Sequence, residues 1–360
     1  MLTYLFYFGF TFVVSVVFTF FLAMLMRKWG IVDKAGVEKR KIHKKTIALG
    51  GGLAIFFSFF LSVLIAWIFA DNFTYEIVGR NLLGLFLGSL ILIMGGILDD
   101  KYNLRARLQI VFPILAALII IFAGIGPHII SNPFGGIIRL DFWQINFGSW
   151  GTFVVVADLL VFFWLMGMMF TTKFLDGLDG LVSGIVSIGA LVIFFFALQK
   201  QWFQADVAML SIILAGATLG FLVWNWFPAK IFLGESGSLL TGFLLGSLAI
   251  ISGGKLAVTL LVMAVPVLDV ARVILKRIKN KKPIYQGDNE HLHFRLLQSG
   301  LSQKQAVLLL YALSLAFGLT ALFLQSNQKF WALVLLFVIM VLLGLWFSKK
   351  RGMIKMGKEE

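Results

Sequence analysis

Acidic residues recur in this sequence beside glycine or at the edge of an apolar run. Asp99 and Asp100 are adjacent. Asp176 and Asp179 stand three apart in Phe174-Leu175-Asp176-Gly177-Leu178-Asp179-Gly180-Leu181. Glu235 lies in Phe232-Leu233-Gly234-Glu235-Ser236-Gly237-Ser238, and Asp269 closes Pro266-Val267-Leu268-Asp269. Residues three apart share a helix face, and the glycines between them permit close backbone approach. Carboxylates gathered in this way repel one another unless a cation joins them. An all-oxygen ligand set suits Mg²⁺, with Mn²⁺ as the alternative. The Gly-Glu-Ser-Gly-Ser run precedes an apolar helix whose free N–H groups can cradle an anion. The opposite charge comes from Lys276, Arg277, Lys279, Lys281 and Lys282, then from His291-Leu292-His293-Phe294-Arg295. Histidine and arginine beside acids suit a diphosphate bridged by a metal.

The elements that must position these residues are set by composition. The chain has 360 residues, 60% of them hydrophobic, with 38 Phe and only 13% charged residues. An ordinary soluble domain carries about 25% charge, so a soluble enzyme is excluded, as are a disordered chain and a disulfide scaffold. The absence of cysteine removes thiolate metal sites and cysteine nucleophiles.

A membrane helix needs roughly 20 apolar residues. Eleven stretches qualify (ten if one fails to cross): 3–25, 49–70, 81–98, 108–125, 151–170, 178–198, 205–224, 238–252, 256–275, 305–325 and 330–347. The first lacks a basic residue ahead of it and is followed by Arg27 and Lys28, so it reads as a retained helix rather than a leader. Eleven crossings place 26 of the 31 Lys and Arg on one side. The positive-inside rule makes that side cytoplasmic, with the N-terminus outside and the C-terminus inside. The net charge of +14 is therefore a topology signal and an attraction to anionic head groups, not a nucleic-acid footprint. The expectation is an all-α integral membrane protein, one polytopic domain over 1–360. Its outer segment 126–150 contains Gly135-Gly136 and the alternating run 138–142, which can form a small hairpin.

On this topology 12 of the 17 acidic residues fall in or beside cytoplasmic segments. Carboxylates close to hydrocarbon are costly and mark function. Singly these motifs are weak, since an isolated Asp-Asp at a helix end usually belongs to a solvated loop. Their joint occurrence on one face carries the reading of a cytoplasmic active site, where an anionic phosphorylated substrate meets a lipid. Asp158 and Asp206 lie toward the outer side and receive no catalytic role. His43 and His128 read as loop residues.

The motifs, taken in order, resemble those of the polyprenyl-phosphate N-acetylhexosamine-1-phosphate transferases. They are Arg40-Lys41-Ile42-His43 before Gly50-Gly51-Gly52, then Asp99-Asp100-Lys101-Tyr102-Asn103-Leu104, then the Asp176–Asp179 run. Asn225-Trp226-Phe227-Pro228-Ala229-Lys230 leads into the Glu235 run, and Pro266-Val267-Leu268-Asp269 and His291-Leu292-His293-Phe294-Arg295 close the series. The resemblance runs from about Arg40 to about Leu322. It implies transfer of a sugar 1-phosphate from a UDP-activated amino sugar to undecaprenyl phosphate or a similar polyprenyl phosphate, giving the diphosphate-linked lipid sugar and UMP, with Mg²⁺ required. The histidine patterns look like the branch that uses UDP-N-acetylglucosamine in O-antigen, teichoic acid or capsule initiation. A bacterial cytoplasmic membrane and a possible homodimer are implied as well.

The resemblance also assigns roles. Asp99, Asp100, Asp176 and Asp179 are the catalytic candidates, with Asp99 deprotonating or positioning the lipid phosphate. Glu235 and Asp176 are the metal candidates. Lys173, Asn225, Lys230, His291, His293 and Arg295 are the substrate-binding candidates. Direct in-line attack and a two-step route through an aspartyl phosphate both stay open. Four positions depart from the family pattern: Lys173 stands where asparagine is usual, Glu235 where aspartate is usual, and Thr46 and Ala48 where prolines are common. A charged lysine cannot ligate Mg²⁺, but it can pair with a diphosphate or with Glu235. The rival readings are a transporter or flippase of lipid-linked sugars and a non-catalytic member of the same fold. A transporter would place charges along a path across the membrane rather than at one face.

Overall fold

In hydrocarbon every backbone N–H and C=O must be satisfied within its own segment, so long apolar runs become helices. The computed structural model describes residues 1–34, 45–70, 79–127, 129–132, 134–146, 152–253, 256–283, 290–325 and 327–339. Within the described residues each apolar stretch forms helix over most of its length: α1 (Leu2–Lys28), α2 (Gly51–Phe69), α3 (Gly79–Tyr102), α4 (Ala106–Gln109), α5 (Val111–Phe122), α6 (Val155–Leu175), α7 (Leu181–Ala197), α8 (Ala205–Asn225), α9 (Gly234–Ile251), α10 (Leu256–Val262), α11 (Ala264–Lys279), α12 (Leu292–Gln298) and α13 (Gln303–Phe323). A further apolar helix, α14, covers Asn327–Ile339.

Seven of these helices are long and apolar enough to cross a membrane, and an eighth span arises if α10 and α11 count as one. Three other expected stretches contain shorter apolar helices, 106–122, 181–197 and 327–339, and the remainder of the stretch 330–347 lies outside the described residues. The protein is thus a multi-pass membrane protein of the all-α class. The stretch 256–275, expected as one straight span, is broken by 80° between α10 and α11. Pro266 stands in the first turn of α11 and has no N–H to continue the ladder from α10.

Burial orders the bundle. The apolar window of α9 is 89% buried and that of α1 only 22%, so α9 is the central helix and α1 a lipid-facing one. Polar side chains stitch neighbours together. Ser15 Oγ donates to the carbonyl of Ala217 at 2.6 Å, Ser187 and Thr218 share a bond of 2.7 Å, and Trp164 Nε1 donates to the carbonyl of Gly246 at 2.9 Å. Such interhelical bonds contribute about 0.6 kcal/mol each. Small residues do more: a Cβ on Gly52 would strike the backbone of Gly237, and one on Gly96 would strike Ser236. Helices α2 and α3 therefore lie at backbone distance from the first turn of α9.

Among the described residues, three small antiparallel pairs complete the fold. β1 (Val32–Asp33) pairs with β2 (Ile47–Ala48), and Ala48 accepts from Phe232 N at 2.9 Å, tying the segment before α9 to this hairpin. β3 (Ile129–Ser131) pairs with β4 (Ile137–Arg139) in the expected 126–150 segment, with Ile130 opposite Ile138. β5 (Gln144–Asn146) pairs with β6 (Thr152–Val154), which runs into α6. Asp158 accepts from Val154 N at 2.8 Å there, a local role at the end of α6 remote from Lys173.

Candidate active site

The C-terminal ends of α3, α6 and α8 and the N-terminal ends of α7 and α9 meet at one end of the bundle, and the acidic motifs lie on these ends. Asp100, in the last turn of α3, accepts from Glu235 N at 2.9 Å through Oδ1, while its Oδ2 is buried with no partner. Gly234, just before, has φ +72, and a Cβ there would run into the Asp100 carboxylate. Only glycine adopts this left-handed conformation without strain, so the Gly-Glu pair is what lets α9 begin against α3. Asp99 Oδ1 accepts from Leu104 N at 2.8 Å and from Gln109 Nε2 at 2.9 Å. Asp99, Gln109 and Glu235 line a small cavity with Gly95, Gly96, Phe112 and Leu239.

Lys173, in the last turn of α6, makes an ion pair with Glu235 Oε1 and donates to Gln109 Oε1 at 3.1 Å. Of the two partners its charge allowed, Glu235 is the one within the protein. Asp176 lies just past α6. Burial, then the nearby charges of Glu235 and Asp179, push its carboxyl up to about 8. Asp176 in turn lies within electrostatic reach of Asp100.

Asp179 and Asn225 face the protein rather than the cavity. Asp179 Oδ2 accepts from Ala229 N at 2.9 Å. Asn225 Oδ1 accepts from Gly180 N at 3.1 Å and from Ser183 Oγ at 3.0 Å, and its Nδ2 donates to the carbonyl of Ile231 at 3.0 Å. Both brace the loop between α8 and α9 against the start of α7. Lys230 is exposed on that loop, with Nζ 4.7 Å from the ring centroid of Trp224.

The histidines form a second layer. Asp269 Oδ2 bonds His291 Nδ1 at 3.0 Å and accepts from Leu292 N at 2.9 Å, and its Oδ1 accepts from Arg272 at 2.6 Å. Phe174, His291 and His293 stack in sequence, with centroid separations of 5.8 and 5.7 Å. His293 fits because residue 177 is glycine: a Cβ there would strike Nε2. Burial, reinforced by His291, lowers the His293 imidazole to about 3, and its Nε2 is buried without a partner. Arg295 follows on α12, half-buried, its N–H bonded to the carbonyl of His291 at 3.1 Å. Asp176-Gly177 thus brings the carboxylate layer and the histidine layer together. The Arg40–His43 motif lies outside the described residues.

Sequence reasoning missed Gln109, which joins Asp99 to Lys173, and Tyr311, whose hydroxyl donates to the carbonyl of Gly180. Gln109 had a weak signal, as the one polar residue near the start of an apolar stretch.

The donor chemistry fits a hard divalent cation. Every candidate ligand is a carboxylate, and the Asp100 Oδ2 is buried and unpaired. No three acidic or histidine side chains among the described residues already converge at metal-ligand spacing; Glu235 is engaged by Lys173 instead.

The sequence profile of glycosyl transferase family 4 matches residues 82–253. The chain is 31% identical over 320 residues to the probable undecaprenyl-phosphate N-acetylglucosaminyl 1-phosphate transferase of Bacillus subtilis, covering 87% of this chain and 83% of that one. It is 29% identical over 344 residues to the decaprenyl-phosphate N-acetylglucosaminephosphotransferase of Mycolicibacterium smegmatis, covering 88% and 82%. It is also 29% identical over 335 residues to the phospho-N-acetylmuramoyl-pentapeptide-transferase of Anoxybacillus flavithermus, covering 88% and 96%. Carboxylates gathered at one end of a membrane bundle, and relatives of these kinds matched over most of their length, lead to one conclusion: the chain belongs to glycosyl transferase family 4, among the polyprenyl-phosphate N-acetylhexosamine-1-phosphate transferases, and is a phosphoglycosyl transferase.

Proposed function

We propose that the enzyme transfers N-acetylglucosamine 1-phosphate from UDP-N-acetylglucosamine to undecaprenyl phosphate at the cytoplasmic face of a bacterial inner membrane, beginning a cell-envelope glycan. The observation that carries this reading is the meeting of Asp99, Asp100, Asp176 and Glu235 at one end of the bundle, beside the His291–His293 stack. A lipid phosphate oxygen forms a bond to the phosphorus that bears the sugar. The bond from that phosphorus to the bridging oxygen breaks, and its electron pair leaves with UMP.

Asp99, lining the cavity and oriented by Gln109 and Leu104 N, positions the lipid phosphate. His293 and Arg295 face the diphosphate of the donor, and Asp269 holds His291 in line with them. Asp100, Asp176 and Glu235 would hold Mg²⁺ (or Mn²⁺), which supplies charge neutralisation on the transferring phosphate. The topology belongs to the same proposal: eleven crossings, counting the short and bent helices, with the N-terminus outside and the C-terminus inside. So does the homodimer, which the mass of the detergent-solubilised particle tests.

The direct test is UMP release by the protein in lipid containing undecaprenyl phosphate, with a panel of UDP-amino sugars and Mg²⁺, Mn²⁺ or EDTA. UMP that requires both the lipid phosphate and N-acetylglucosamine as the sugar is the expected result. Silence across the panel would sink the reading in favour of a non-catalytic member of the fold.

A further inference from the structure

Lys173 is the cation at the centre of the acidic cluster. Its Nζ is bound to Glu235 Oε1 and, at 3.1 Å, to Gln109 Oε1. The other end of the same glutamine donates to Asp99 Oδ1 at 2.9 Å. The peptide N–H of Glu235 donates to Asp100 Oδ1 at 2.9 Å. One ammonium group thus links three carboxylates through one glutamine and one peptide unit. The Lys173 and Glu235 side chains are only 20% and 16% exposed, so the pair is poorly screened by water.

We propose that Lys173 is a built-in competitor of the divalent cation. It neutralises Glu235 and, through Gln109, orients Asp99 while the metal is away. It must release Glu235 for the metal to be held. The inference rests on the metal-dependent reading above and adds a positioning residue to it. Two physical arguments support it. A protonated lysine has no lone pair, so it cannot share the ion as a ligand. Breaking the Lys173–Glu235 pair leaves a partly buried ammonium uncompensated until another anion reaches it. A donor diphosphate is such an anion, so metal and donor bind with positive coupling. Lys173 thereby keeps the site from holding a divalent cation tightly before the donor arrives.

The experiment is Mn²⁺ binding to the full-length protein in lipid nanodiscs, followed by electron paramagnetic resonance of the free ion, with no donor and no lipid phosphate. Lys173→Met and Lys173→Asn are expected to bind Mn²⁺ about tenfold tighter than the wild type, or more. Adding Glu235→Gln to either should remove the gain. Affinity within about twofold of the wild type, or weaker, overturns the proposal. A second measurement needs no variant. Saturating Mn²⁺ should raise reductive methylation of Lys173 in the wild type over its level in EDTA, read by mass spectrometry, and an unchanged level overturns the proposal as well. UMP release measured on the same preparation reports on the reaction itself. A silent enzyme with tighter Mn²⁺ binding in the lysine variants fails the functional reading alone, and an active enzyme with unchanged affinities fails this inference alone.

Discussion

The carboxylates of the site are held in different ways, so their substitutions separate. Asp99 and Glu235 line the cavity. Asp99→Asn and Glu235→Gln should each lower UMP release by about 10²-fold or more while leaving membrane insertion intact; full turnover in both would remove them from the chemistry. Asp179 instead spends an oxygen on the backbone of Ala229. Its asparagine variant retains an acceptor there and should lose less activity than Asp99→Asn. Buried His293 gives a pH prediction. The folded protein keeps this imidazole neutral down to about 3, whereas an unfolded chain protonates it near 6.5. Between those values the unfolded state binds more protons, so His293 makes stability fall as pH falls through the window. Thermal unfolding of His293→Gln should therefore shift less than wild type on acidification from about pH 6.5 to about pH 4. Equal shifts would show that His293 is not held neutral.

At the scale of elements, the site depends on where helices begin and end. The α9 N-terminus sits against the α3 C-terminus because Gly52 and Gly96 admit the α9 backbone and Gly234 turns it at φ +72. Gly234→Ala forces a Cβ into the Asp100 carboxylate and strains the backbone by about 1–3 kcal/mol. The expected outcome is a lower unfolding temperature together with lost turnover. A variant of native stability and activity would show that α9 can start without this turn. Helix α4 matters for the single residue Gln109 at its end. Gln109→Leu should lower kcat with little change in donor KM, because it leaves the histidine layer untouched while freeing Asp99. A change confined to KM would contradict the positioning role.

For the whole molecule, the bundle has one chemically rich end and one poor one. The rich end carries the acids and the histidine stack, and the other carries the β3–β4 and β5–β6 hairpins with exposed Phe134 and Trp143. The proposed topology puts the rich end in the cytoplasm. The chain has no cysteine, so single-cysteine variants report topology without background. Phe134→Cys should react with an impermeant maleimide in intact cells, and Lys304→Cys only after permeabilisation. The reverse pattern would invert the molecule and rule out a cytoplasmic sugar nucleotide as donor.

From sequence alone came the helical membrane class, the helical stretches, the β3–β4 hairpin and the gathering of acids at one face. These are legible because each rests on local properties: the length of an apolar run, the side on which lysine and arginine fall, a glycine pair in a polar turn. The resemblance to a family was legible for the same reason, since its motifs are short and contiguous. What local pattern could not decide was partnership. Lys173 and Glu235 are 62 residues apart, and Asn225 and Gly180 are 45 apart. Whether a charge faces substrate, metal or another side chain depends on helix contacts accurate to a fraction of an ångström. Only the tertiary structure turned Asn225 and Asp179 into struts, bent the span at Met263, and placed the Lys173 ammonium on Glu235. The physical reason is that burial and hydrogen-bond satisfaction are settled between helices, whereas an apolar run is already a helix before it meets its neighbours.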